Sequence, residues 1–128
     1  AVSALIVALS LMAWVTAPIG ATDLRGEGLS AATTLHLVFT TMGALTVLTA
    51  MGVGAGAFGR GFRVYSIASM VVLVGFAALS GAIAARPGEN LQTPWLGVVE
   101  RFSFYSYHVW FMVLAIKLIA RERASRFA

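Results

Sequence analysis

Residues 96–120 read LGVVERFSFYSYHVWFMVLAIKLIA, a strongly apolar run. An α-helix rises 1.5 Å per residue, so about 20 such residues cross the hydrocarbon core of a bilayer, which is about 30 Å thick. Three further runs of this kind occupy most of the remaining chain. Together they predict an all-α integral membrane bundle of four transmembrane helices, at about residues 2–19, 31–57, 62–85 and 95–121.

The composition supports this class, because 59% of the 128 residues are hydrophobic and only 11% are charged. A chain of this length is predicted to be a single transmembrane helical domain, residues 1–128. The absence of cysteine excludes disulfides and thiolate metal sites. The first run has no basic segment before it and is longer than a signal-peptide core, so we expect a spanning helix that other, N-terminal helices precede.

The basic residues flank the predicted helices and divide unequally between the two sides of the membrane. The side of both termini carries Arg60, Arg63, Lys117, Arg121, Arg123 and Arg126, and the opposite side carries Arg25, Arg86 and Arg101. The positive-inside rule therefore predicts cytoplasmic N- and C-termini in a bacterial cytoplasmic membrane. Membrane lipids are the partners expected for the basic tail, and nucleic acid is not.

Small residues recur at four-residue spacing in two of the runs, as Gly52 with Gly56 and Ala77 with Gly81. This spacing brings helices into close contact in membranes. The four residues are therefore predicted to pack helices together, and contact between neighbouring spans is favoured over a dedicated homodimer motif. The hydroxyl groups of serine and threonine in the runs are expected to bond to the carbonyl four residues earlier.

Ionisable residues are predicted to gather near the outer surface, in a cluster of Asp23, Arg25, His36, Glu100 and Arg101. Charges at membrane depth cost about 2.5 to 3.5 kcal/mol when unpaired, so we expect them to face protein, water or an opposite charge. The favoured interpretation is a structural network that joins helices, with Glu27 as a further partner for Arg101. A substrate, lipid-headgroup or proton-handling site and simple snorkelling into headgroups are the alternatives.

The two histidines could each ligate a pigment or haem, as histidine does in other membrane helices. Their expected depths differ by about 12 Å, so His36 and His108 are not expected to share one iron. A zinc site formed with Asp23 would need that mismatch to vanish. Hydrogen bonding within the bundle is favoured for both. No cofactor, metal site or catalytic residue is predicted, since G-x-S-x-G and HExxH are absent.

Several short motifs follow one another along the chain: Pro18 with Asp23, Leu35-His36-Leu37, Arg60-Gly61 with Arg63-Val64-Tyr65-Ser66, and Leu96-Gly97-Val98-Val99-Glu100-Arg101 followed by Trp110. In this order they resemble the bacterial multi-span membrane proteins grouped as domain of unknown function 998. Members of that family typically have more predicted spans than this chain, so the resemblance implies that N-terminal helices are missing. It brings no reaction with it, and it singles out Asp23, His36, Glu100 and Arg101.

These observations predict a non-catalytic membrane subunit or accessory protein that packs against other membrane proteins in a larger complex. Exposed aromatic residues of the last helix would supply lipid-facing or partner-facing surface, namely Phe102, Phe104, Trp110 and Phe111. The alternative is a lipid-processing or small-molecule-transporting protein that uses the outer-side polar cluster. That alternative requires a water-accessible cavity that reaches Glu100.

Overall fold

A computed structural model describes residues 30–84 and 95–126, and all the regular structure in these ranges is helical. Helix α1 spans Ala31–Gly54, α2 spans Arg60–Ala84 and α3 spans Leu96–Arg126. All three are long and apolar enough to cross a membrane, which indicates an integral membrane protein. The predicted span at 2–19 lies outside the described residues, so the count of four helices stays a prediction.

Helix α1 belongs to one compact unit of the chain, and α2 and α3 belong to another. Helix α1 begins at an N-cap, where the Ser30 hydroxyl oxygen accepts a hydrogen bond from the backbone N–H of Thr33 at 3.2 Å. The predicted back-bonding is confirmed along this helix, because hydroxyls donate to the carbonyl four residues earlier at 2.7 to 3.0 Å in Thr34, Thr41, Thr46 and Thr49. These four hydroxyl groups are thus satisfied within the helix.

The connection between α1 and α2 lies earlier in the chain than predicted and depends on glycine. Helix α1 ends at Gly54, before the predicted boundary at 57. Glycine has a low helix propensity, and Gly54 and Gly56 therefore disfavour continuation of the helix. Gly59 adopts a φ of 83°, a left-handed conformation that glycine tolerates best. Its carbonyl then accepts the N–H of Arg63 at 3.1 Å, so α2 begins at Arg60 and not at 62.

Helices α2 and α3 pack against each other as an antiparallel pair. Near the start of α3, the ring of Phe102 stacks on Phe76 with centroids 5.1 Å apart, and the Ser103 hydroxyl donates to the Leu73 carbonyl at 3.2 Å. Towards the other end, Trp110 meets the first turns of α2. The buried apolar side chains of this pair are Phe62, Leu73, Val99, Trp110 and Leu114.

Helix α3 has 31 residues, or about 46 Å, and it extends past the predicted end at 121. In its last turns the Glu122 carboxylate pairs with the Arg126 guanidinium at 2.5 Å, and the Ser125 hydroxyl donates to the Glu122 carbonyl at 2.8 Å. Such an i,i+4 pair supports a helix in water. The boundary was mispredicted because charged residues end a membrane span without ending a helix.

Candidate functional site

Two members of the outer-side polar cluster, Glu100 and Arg101, are exposed near the start of α3 and form no ion pair within the described residues. A Cβ placed on Gly97 would lie 3.8 Å from Nη1 of Arg101, so the guanidinium lies back against the previous turn. The Arg101 side chain thus points towards the N-terminal end of α3, the direction in which it would reach the headgroups.

The other predicted members of the cluster lie either outside the described residues or in the other unit of the chain. Asp23, Arg25 and Glu27 lie outside the described residues. His36 is half-buried on α1, in the other unit of the chain. The predicted network between helices, and the choice between a structural and a functional cluster, therefore stay predictions.

A shallow, open depression of about 270 Å³ lies beside Glu100 and Arg101. Gly97 and Phe104 complete its lining, so all four lining residues come from α3. Ligand sites usually enclose most of a small molecule between several elements. One helix face can hold a headgroup or an ion through its charged groups, but it does not surround a substrate.

His108 is exposed on α3, about 18 Å along the helix from Leu96. Its Nδ1 lies 2.8 Å from the Phe104 carbonyl oxygen, and its ring lies 4.1 Å from that of Phe104 and 4.3 Å from that of Tyr107, between centroids. A carbonyl accepts only from a protonated nitrogen, so this contact places the proton on Nδ1. Nε2, which is an acceptor in the neutral ring, has no partner among the described residues.

A metal ion in this chain would need histidine or acidic side chains as ligands, since cysteine is absent. Within residues 30–84 and 95–126, no three histidine or acidic side chains lie close enough together to hold a metal ion. Asp23, the third ligand considered for a zinc site, is outside these ranges. A pigment or haem on His36 or His108 alone stays a prediction, and Nε2 of His108 is the atom that would ligate it.

A buried hydrogen-bond chain joins α2 to α3, and we call it the Ser66–Trp110 relay. The Trp110 indole N–H donates to the Ser66 hydroxyl oxygen at 2.9 Å, and that hydroxyl donates to the Phe62 carbonyl at 2.8 Å. The rings of Phe62 and Trp110 lie 5.9 Å apart. Ser66 and Trp110 are both 0% exposed. The relay thus satisfies the indole and the hydroxyl inside the helix pair.

The relay corrects one prediction about the aromatic residues of α3. Phe102 and Phe104 are exposed as expected, but Trp110 is buried, so its predicted lipid-facing or partner-facing position is wrong. An indole N–H facing acyl chains would lack an acceptor, whereas Ser66 offers one across the helix contact. Sequence reasoning treated Ser66 only as a back-bonding hydroxyl and missed the second bond that it accepts.

The relay predicts non-additive effects of two conservative substitutions. Ser66→Ala and Trp110→Phe should each lower the free energy of unfolding by about 1 kcal/mol, because each removes the same hydrogen bond between helices. The double variant should then be little worse than either single variant. Unfolding of the detergent-solubilised protein by sodium dodecyl sulfate, followed by circular dichroism, gives the three values. Simple addition of the two losses would show that the bond does not couple the helices.

Lys117 lies over an aromatic pair where α3 passes the start of α2. Nζ of Lys117 lies 5.9 Å from the ring centroids of both Phe58 and Phe62, and these two rings meet edge to face at 5.3 Å. We call four exposed cations at this end of the helix pair the basic end. They lie in the first turn of α2 and in the late turns of α3: Arg60, Arg63, Lys117 and Arg121. A cation over aromatic faces is held by the negative potential of the rings.

The four predicted helix-packing residues, Gly52, Gly56, Ala77 and Gly81, are exposed. A Cβ added to any of the three glycines would meet no heavy atom within 4 Å. The contact between α2 and α3 therefore does not use Ala77 or Gly81. The predicted packing role stays a prediction, and these positions are open to a neighbour.

The sequence matches no protein-family model, and neither curated proteins nor solved structures give a match. The resemblance to domain of unknown function 998 consequently depends on the short motifs alone.

Proposed function

We propose that this chain is a non-catalytic integral membrane subunit that packs against other membrane proteins in a larger complex. The observation that supports the proposal is the exposed His108, on a helix long enough to cross the bilayer and about 18 Å from its start. At that depth lipid offers no hydrogen-bond donor to Nε2. A donor on a helix of another protein would satisfy it.

The energetics favour protein over lipid as the neighbour of His108. A polar group that faces hydrocarbon without a partner is costly, and ionisable residues within spans usually face other helices or water. A hydrogen bond between membrane helices contributes about 0.6 to 1.7 kcal/mol. That gain is modest, so shape must supply the rest of the binding free energy.

Surface features near and beyond His108 could supply that shape. Phe104 and Tyr105 are exposed on α3 and present broad ring surfaces. Ala77 and Gly81 are exposed on α2 and have no bulky side chain, which allows the backbone of another helix to approach closely. Large rings on one helix and small residues on the other suit a partner that presents more than one helix.

The proposal includes a four-span topology with both termini in the cytoplasm of a bacterial cell and a place in the domain of unknown function 998 group. The apolar run at 2–19 and the unequal distribution of basic residues support the topology. The start of α3, with Glu100 and Arg101 after Gly97, supports the family. With four spans the two termini lie on the same side of the membrane, so the basic tail that follows α3 would be cytoplasmic, as the N-terminus is.

Affinity purification from native membranes tests the proposal. The tagged chain, extracted in a mild detergent, should carry a larger membrane protein in stoichiometric amount by quantitative mass spectrometry. His108→Leu should lower the amount of that protein about threefold or more, since one interhelical hydrogen bond is lost. Val71→Leu, which also places leucine at an exposed position but removes no polar group, is the control.

Two outcomes would contradict the subunit proposal. One is recovery of the chain as a lone monomer, and the other is equal co-purification by the His108→Leu and Val71→Leu variants. Circular dichroism should verify that His108→Leu is folded, because the contacts that the structure describes for this side chain, to Phe104 and Tyr107, lie within α3.

The depression beside Glu100 favours a second candidate, a lipid-processing or small-molecule-transporting protein. Its charged pair could hold a polar headgroup at the outer surface. In that case the monomer alone would turn over or move its ligand, and Glu100→Gln would abolish this activity without unfolding the helices. Activity of the isolated monomer would thus support the second candidate over the subunit proposal.

A further inference from the structure

The basic end carries charge that the described part of the chain does not neutralise. Lys117 contacts Phe62, so the late turns of α3 lie beside the start of α2, where Arg60 and Arg63 are exposed. Arg121 follows Lys117 by one helical turn. The acidic residue described nearby, Glu122, is paired with Arg126, which is outside the basic end. Four cations therefore remain at this end of the helix pair without a carboxylate.

The depth of the basic end matches the headgroup region. Lys117 lies about 32 Å along α3 from Leu96, close to the thickness of the hydrocarbon core. Trp95, 69% exposed at the opposite end, suits the other interface. Phe58 and Phe62 lie under the Lys117 ammonium and hold it at the edge of the apolar region. A long cationic side chain fixed in this way can meet a lipid phosphate directly.

We infer that the basic end binds the phosphate headgroup of an anionic phospholipid. Lys117 is the central cation, since two rings position it, and Arg60, Arg63 and Arg121 add charge and planar donors that suit phosphate oxygens. Lipid is favoured over free phosphate because the exposed apolar faces of both helices continue from the headgroup level along the path of the acyl chains. The inference requires only that the chain spans a membrane, and it is independent of the proposed subunit role.

Lipid titration of the 128-residue chain tests the inference. Native mass spectrometry of the detergent-solubilised protein should show tighter binding of phosphatidylglycerol than of phosphatidylcholine with the same acyl chains. Lys117→Gln should weaken phosphatidylglycerol binding about fivefold, the effect of one basic residue near a lipid surface, and Lys117→Arg should retain it. Arg123→Gln removes the same charge about 120° round the helix from Lys117 and should leave binding unchanged.

The controls separate a lipid site from general attraction. Equal losses in Lys117→Gln and Arg123→Gln would overturn the inference, because diffuse positive charge would then explain the binding. Equal affinity for the two lipids would also overturn it. Displacement of phosphatidylglycerol by millimolar inorganic phosphate would overturn the lipid assignment in favour of a free anion site.

Discussion

Replacing Trp110 by alanine should lower the free energy of unfolding by about 3 kcal/mol, the largest loss that we expect from a single substitution. The side chain is fully buried, packs on Phe62 and donates to Ser66. Alanine would leave a cavity between α2 and α3 and a hydroxyl without its donor. The expected loss lies at the low end for tryptophan because lipid, unlike water, does not penalise exposed apolar surface.

Unfolding by sodium dodecyl sulfate, followed by far-ultraviolet circular dichroism, measures this change. Trp95→Ala is the matched control: it removes the same kind of side chain directly before α3, at a position that is 69% exposed. It should change the unfolding midpoint little. If Trp110→Ala were no more destabilising than Trp95→Ala, the relay would not hold the helix pair together.

Gly59→Val should lower the free energy of unfolding by about 2 kcal/mol, because a β-branched residue is strained in the left-handed region. Gly59 has a φ of 83° directly before α2. A Cβ there would meet no heavy atom within 4 Å, so the expected cost arises from the backbone and not from a clash. Thermal unfolding of the detergent-solubilised protein provides the measurement.

Gly61→Val provides a control two residues away. Gly61 also has open space around its Cβ position, but it lies in the first turn of α2 without a positive φ. Valine has a higher helix propensity than glycine, so this change should be neutral or stabilising. Equal destabilisation by the two valines would mean that the conformation of Gly59 does not control where α2 begins.

The helix boundaries that follow from local composition were predicted well. Helix α1 begins at Ala31 and α2 ends at Ala84, each within a residue of the prediction. The end of α3 was misplaced, because hydropathy reports where a helix leaves the membrane and not where it stops. The charged segment up to Arg126 continues as a helix supported by its own ion pair.

The candidate site was predicted less completely, and the aromatic residues explain why. Apolar residues occur on all sides of α3, so their periodicity does not indicate which face meets α2. Trp110 and Phe102 looked alike in sequence, yet the first is buried and the second is 54% exposed. The contrast follows from the packing of the helix pair, in which the indole of Trp110 lies against Phe62 and Ser66.

Membrane insertion is a property of each segment alone, since it depends on the summed transfer free energy of about 20 consecutive residues. For that reason the amino-acid sequence was sufficient to identify the three apolar helices that the structure describes and to indicate a membrane protein. The burial of Trp110 and the position of Lys117 over Phe58 and Phe62 depend instead on the contact between α2 and α3. Ser66 and Trp110 are 44 residues apart in the chain, and only the packing of α2 on α3 brings the indole to the hydroxyl.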